Sequence, residues 1–205
     1  MKKAKLHKRI FLAAIVFIIL IGAYKSTSYL AIGHPGHNIA IFIDDWIEFS
    51  PEWVVFYILY YPGIVLPFLF IKNQHRIMQL FWGFLFVIFL TVPFYLFFIV
   101  RIARPDVIDN GFFSRIVKSI FASDEPVNLF PSQHVAFIWL TAFIFNRENR
   151  IFGIGYFVFA VLVSLSTVFI KQHYFLDIPS GIAIAILSYY LSKFISEQYI
   201  KHSLQ

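Results

Sequence analysis

The chain has 205 residues, of which 60% are apolar and 20% aromatic, with 27 Phe, and only 14% are charged. A water-soluble domain carries about a quarter charged residues, so this composition excludes an ordinary soluble enzyme and describes an integral membrane protein. There is no cysteine, which removes disulfides, thiolate nucleophiles and Cys-bound metals from consideration.

At roughly 20 apolar residues per crossing, the chain has room for about six helices and little else. The reading is therefore an all-α, six-helix transmembrane bundle in which residues 1–205 form one membrane domain. Five basic residues, Lys2, Lys3, Lys5, Lys8 and Arg9, open the chain. They read as a topology signal in contact with anionic headgroups rather than as a nucleic-acid-binding arm. The apolar run 10–24 that follows lacks a small-residue cleavage site, so it reads as a first membrane helix and not a removed signal. Spans are expected near 10–30, 53–71, 77–100, 131–146, 151–170 and 175–195. The fourth is short for a crossing, either extending into 128–130 or buried by its neighbours. Pro62, Pro67 and Pro93 fall in or near the second and third spans, where a bundle tolerates kinks.

Two connecting stretches stand out. Residues 38–50 carry Asp44, Asp45 and Glu48 among Ile39, Ile41, Phe42, Ile43, Ile47 and Phe49. They suit a short helix lying flat in the headgroup layer, with the acidic pair either solvated or cation-binding. The stretch 101–130 is the longest connection, and a loop of this length in so small a protein is more often functional than idle.

Loop charges orient the bundle. Eleven of the seventeen basic residues fall at the N-terminus, between spans two and three, between four and five, and after six. The positive-inside rule then places both termini in the cytoplasm and the remaining loops at the external or periplasmic face of the plasma (inner) membrane. Those external loops collect the residues of chemical interest. Pro131-Ser132-Gln133-His134 precedes the fourth span; with proline in its first turn, the backbone N–H groups and Ser132 form either a phosphate cradle or a plain helix cap. His173 and Asp177 are four apart and share one face if the helix has already begun. A carboxylate there fixes the imidazole tautomer and leaves the other ring nitrogen able to attack; the plainer reading is a satisfied His–Asp pair at an interface. Arg101, Arg104 and Lys171 supply cations of the kind phosphoryl transfer needs, though each alone is also an ordinary interfacial anchor.

Together, Arg104-Pro105, Pro131-Ser132-Gln133-His134 and Ser166 with His173 and Asp177 resemble, in order and spacing, the three motifs of the type 2 phosphatidic acid phosphatase superfamily of lipid phosphate phosphatases and phosphotransferases. The resemblance covers residues 38–185. It implies a metal- and cofactor-independent enzyme in which His173 is the phosphohistidine-forming nucleophile, Asp177 orients it, and His134 protonates the leaving group and then activates the acceptor. Arg104, Ser132 and Gln133 would hold the phosphoryl oxygens; Lys171 and Arg101 are expected as helpers from their closeness in the chain alone, not from the resemblance. The implied partner is a lipid phosphate within the bilayer, and no nucleic acid. Two positions depart from the pattern: Phe97 stands where the first motif has Lys, and Thr167 where the third has Arg. The stretches 124–132 and 166–174 are similar to the branch containing inositol phosphorylceramide and sphingomyelin synthases. Three activities stay open: hydrolysis of a lipid phosphomonoester or diphosphate, headgroup transfer to a second lipid, and non-catalytic lipid binding or transport.

Overall fold

The structure, a computed structural model, describes the backbone of residues 2–109 and 111–203 and the side chains of 6–109 and 111–198. The side chains of Lys2, Lys3, Lys5 and Lys201, used above for orientation, lie outside the described residues. Among those described, the chain is all-helical, with no strand. An isolated bridge joins His37 to Val100, where His37 N–H donates to the Ile99 carbonyl at 2.7 Å.

The helices follow the apolar segments closely. α1 runs Lys2–Leu30, α3 Val54–Val65, α5 Gln74–Phe97, α8 Arg150–Phe169 and α9 Asp177–Ser203. α1 begins ahead of the apolar run because Lys, Ala and Leu are good helix formers. The second segment enters through a 3₁₀ turn at Pro51–Trp53 and breaks near Leu66, after which Pro67 opens the short α4, Pro67–Phe70. Proline has no N–H for the preceding turn, and the neighbouring helices carry the defect. Pro62 and Pro93 sit inside α3 and α5.

Among the described residues, five helices are long and apolar enough to cross a membrane: Leu6–Leu30, Pro51–Phe70, Gln74–Phe97, Arg150–Phe169 and Asp177–Gln198. The fourth expected segment differs. It forms α7, Gln133–Glu148, whose 16 residues measure about 24 Å at 1.5 Å per residue, against a hydrocarbon layer of about 30 Å. α7 instead occupies the middle of the bundle, packed by α3, α5, α8 and α9. Phe137, Ile138, Leu140 and Ile144 are fully buried on it. A helix apolar all round belongs in a core, and this one has no lipid-facing side to lengthen.

Two close approaches place α7. Asn149 ends it and caps α8, its Oδ1 accepting from Ile151 and Phe152 N–H at 3.0 and 3.2 Å. Gly181 of α9 lies against the start of α7, where a Cβ would meet the Ser132 carbonyl at 2.7 Å and Val135 Cβ at 2.8 Å.

At one end of the bundle, Arg9 donates to the carbonyls of Leu69 and Lys72 (3.1 and 3.4 Å), and Glu148 accepts from Lys72 and Asn73 N–H (2.8 and 3.2 Å). The loops with the site residues gather at the other end. There 38–50 contains only a short helix, α2, Phe42–Trp46. The stretch 101–130, expected as a loop, holds α6, Phe112–Ser123. Its apolar residues recur at helical spacing: Phe113, Ile116, Val117, Ile120 and Phe121 pack on Val54, Tyr57 and Ile170. Burying Val117 alone contributes roughly 1.5–3 kcal/mol. Asn128 closes the loop onto α1, donating to the Tyr24 carbonyl, Thr27 Oγ1 and Ser28 Oγ at 3.1, 2.9 and 2.8 Å.

Candidate active site

α8 ends at Phe169, and the tight segment 170–176 turns the chain back into α9. The turn is tied by the Thr167 carbonyl, which accepts from both Gln172 N–H (2.9 Å) and His173 N–H (3.0 Å). Asp177, wholly buried, opens α9. Its Oδ2 accepts from Tyr174 N–H at 3.0 Å and lies 2.9 Å from His173 Nδ1. A carboxylate can only accept, so Nδ1 carries the proton and Nε2 presents its lone pair. That Nε2 lies 3.2 Å from Ser132 Oγ and 3.4 Å from His134 Nδ1. The second and third motifs therefore meet atom to atom, the first two turns of α7 and α9 being held together at Gly181.

Pro131 lies ahead of the helix rather than in its first turn, since α7 begins at Gln133. The N-cap is Ser132, whose Oγ accepts from Val135 N–H at 3.4 Å while facing His173, and the Pro131 carbonyl accepts from Tyr95 OH at 2.8 Å. Gln133 turns into the bundle, donating to Thr91 Oγ1 at 2.5 Å. His134 is half-buried among tyrosines, with ring centroids 4.8 Å from Tyr57 and 4.7 Å from Tyr60.

Arg104 comes from the long connection and is held by it. Its Nη1 donates to the carbonyls of Phe121 (3.1 Å) and Asp124 (2.5 Å), and its Nη2 to Gln172 Oε1 (2.9 Å). The Asp124 carboxylate is 3.5 Å from Nη2, and the guanidinium stacks 4.7 Å over the Phe121 ring. Burial lowers the Arg104 pKa from its ordinary value, opposed by the Asp124 charge; an arginine nonetheless stays cationic. Through Gln172, the residue before His173, Arg104 is one side chain removed from His173.

The other two cations go elsewhere. Arg101 donates to the carbonyls of His34 (Nε) and Ala31 (Nη2), both at 2.7 Å, at the end of α1. Lys171 Nζ donates to the carbonyls of Asp44 (3.2 Å) and Ile47 (2.5 Å), holding α2 in place. Among the described residues neither has a hydrogen bond or ion pair to His134, His173 or Ser132. Asp44 completes that bracket, its Oδ1 accepting from Phe175 N–H at 2.7 Å. Phe97 is 85% exposed at the end of α5, outside the site, and Thr167 Oγ1 donates back to the Ser164 carbonyl at 2.7 Å. Ser166 does the same to Val163, also at 2.7 Å. The tyrosines and Gln172 were missed by sequence reasoning; Tyr57, Tyr60 and Tyr61 recur at helical spacing on a span otherwise aliphatic and aromatic, a signal that could have been read.

The sequence profile of the PAP2 superfamily matches residues 44–191, and so takes in all of these groups. The chain belongs to the PAP2 superfamily. Comparison with curated proteins and with solved structures gives no match. PAP2 membership sets this integral membrane protein among phosphatase- and phosphotransferase-type lipid enzymes.

Proposed function

We propose that this PAP2 protein is a membrane lipid phosphatase that cleaves a lipid phosphomonoester or diphosphate at the external face of the plasma membrane through a phosphohistidine. The observation that carries this reading is the disposition of His173, with Nδ1 on Asp177 and Nε2 turned to Ser132 and His134. His173 Nε2 attacks phosphorus, and the bond from phosphorus to the leaving oxygen breaks. His134 gives that oxygen its proton. Asp177 stabilises the imidazolium character of the intermediate. His134, now a base, takes a proton from water, whose oxygen attacks the phosphohistidine and frees phosphate and His173.

The loop charges support the sidedness: Arg9, Lys72, Arg76, Arg147 and Arg150 lie with the end away from His134 and His173. Two apolar faces meet beside His134 in a cavity of about 360 Å³ lined by Phe17 and Leu20 of α1, Ile64 of α3, and Tyr57, Tyr60 and Tyr61. It is suited to lipid chains, and it is also the observation that favours the second reading, transfer to a lipid acceptor rather than to water. Phosphate release from labelled lipid phosphates by purified protein in detergent, with no added acceptor, is the test. Release without acceptor supports hydrolysis; turnover only with a second lipid moves the assignment to a phosphotransferase; turnover unaffected by His173→Ala removes the catalytic reading.

A further inference from the structure

Gln172 is 2% exposed, and its amide orientation is fixed by chemistry. An arginine only donates, so the atom 2.9 Å from Arg104 Nη2 is the oxygen Oε1. The amide nitrogen Nε2 is then at the other branch of the fork, buried and without an acceptor among the described residues. Arg104 Nε is in the same condition. Buried donors are nearly always paired, and here two of them belong to side chains bonded to each other. One of those side chains adjoins His173, with which it shares the Thr167 carbonyl as backbone acceptor. What matches two unpaired donors on bonded side chains, one of them cationic, is a tetrahedral oxyanion.

We infer that Gln172 binds the transferring phosphoryl group, its Nε2 and Arg104 Nε each donating to a phosphoryl oxygen while Oε1 keeps the guanidinium in line. This rests on the phosphoryl-transfer reading above and assigns a residue that the motifs do not. It also accounts for Thr167: the charge expected there is replaced by a neutral donor five residues along the chain. The ligand class is a phosphoryl dianion on a lipid, and its inorganic probe is orthovanadate.

Gln172→Glu separates this role from simple support of Arg104. Glutamate keeps an oxygen for Nη2, so it preserves the support, but it puts a second oxygen where the amide donor was. Purified wild-type protein, Gln172→Glu, Gln172→Leu and His173→Ala are compared for lipid phosphate turnover and orthovanadate inhibition, with thermal unfolding in detergent as the fold check. Both Gln172 variants are expected to lose at least tenfold in kcat/KM and in sensitivity to vanadate, with Glu the worse of the two. If Gln172→Glu keeps wild-type turnover and vanadate sensitivity, the residue only positions Arg104 and the inference is wrong. If Gln172→Leu unfolds, the Glu variant, which keeps the Arg104 partner, carries the decision. Turnover that survives His173→Ala overturns the underlying phosphoryl-transfer reading instead, a result distinct from a silent Gln172.

Discussion

The proposed chemistry turns on one ring. Asp177 Oδ2 takes two donors, His173 Nδ1 and Tyr174 N–H, while its Oδ1 is buried without a partner among the described residues. Asparagine reproduces the accepting oxygen but not the charge. Asp177→Asn is therefore expected to stay folded, with kcat reduced about 10²–10⁴-fold because the imidazolium loses its counter-charge; wild-type kcat in that variant would remove Asp177 from the mechanism. His134→Gln is expected to reduce turnover by about 10²–10⁴-fold, the range of general acid–base groups. The loss should shrink on substrates with a good leaving group such as p-nitrophenol, which needs no proton, and an equal loss on both substrates would deny His134 the acid role. At this scale the nearness of the two histidines and the aspartate to helix starts was legible from the apolar segment ends and the four-residue spacing, though His173 lies in the turn before α9 rather than on it. The basic residues were not. Charge type does not reveal that carbonyls at the ends of α1 and α2 take the heads of Arg101 and Lys171, nor that Phe97 faces outward.

The elements matter through where they touch. α9 crosses the start of α7 at Gly181, where a side chain would press on the Ser132 carbonyl and Val135. Gly181→Val is expected to lower stability by about 1–3 kcal/mol through overpacking and to lower activity as well, since it separates Ser132 and His134 from Asp177. Gly155→Leu, with nothing within 4 Å of its Cβ position, is expected to stay within about 0.5 kcal/mol of wild type. Thermal unfolding in detergent beside a turnover assay checks both, and equal effects at the two positions would contradict the packing assigned to α7 and α9. Hydropathy made the long helices legible. It left α6 hidden, because 12 amphipathic residues between Arg-Pro and Asp-Glu-Pro carry too little apolar character to stand out from a loop, although Phe113, Ile116, Val117 and Ile120 keep the helical period. The shortness of α7 was visible in its length and left burial by neighbours open beside extension into 128–130, but composition alone could not choose between them.

At the scale of the whole molecule, the bundle presents the loops with Arg9, Lys72 and Arg147 at one end and His134 and His173 at the other. Because the chain has no cysteine, single introduced thiols report sides cleanly. Asp45→Cys, exposed on α2, is expected to react with a membrane-impermeant maleimide on intact cells, and Arg147→Cys, exposed at the end of α7, only after permeabilisation. The reverse pattern would put the site in the cytoplasm. The most direct test of the central claim is to trap the covalent intermediate. Purified protein is mixed with a ³²P-labelled lipid phosphate, quenched in alkali and digested. The account predicts an alkali-stable, acid-labile phosphoryl group on the peptide containing His173, absent from His173→Ala. Undiminished turnover with no label on that peptide would contradict it.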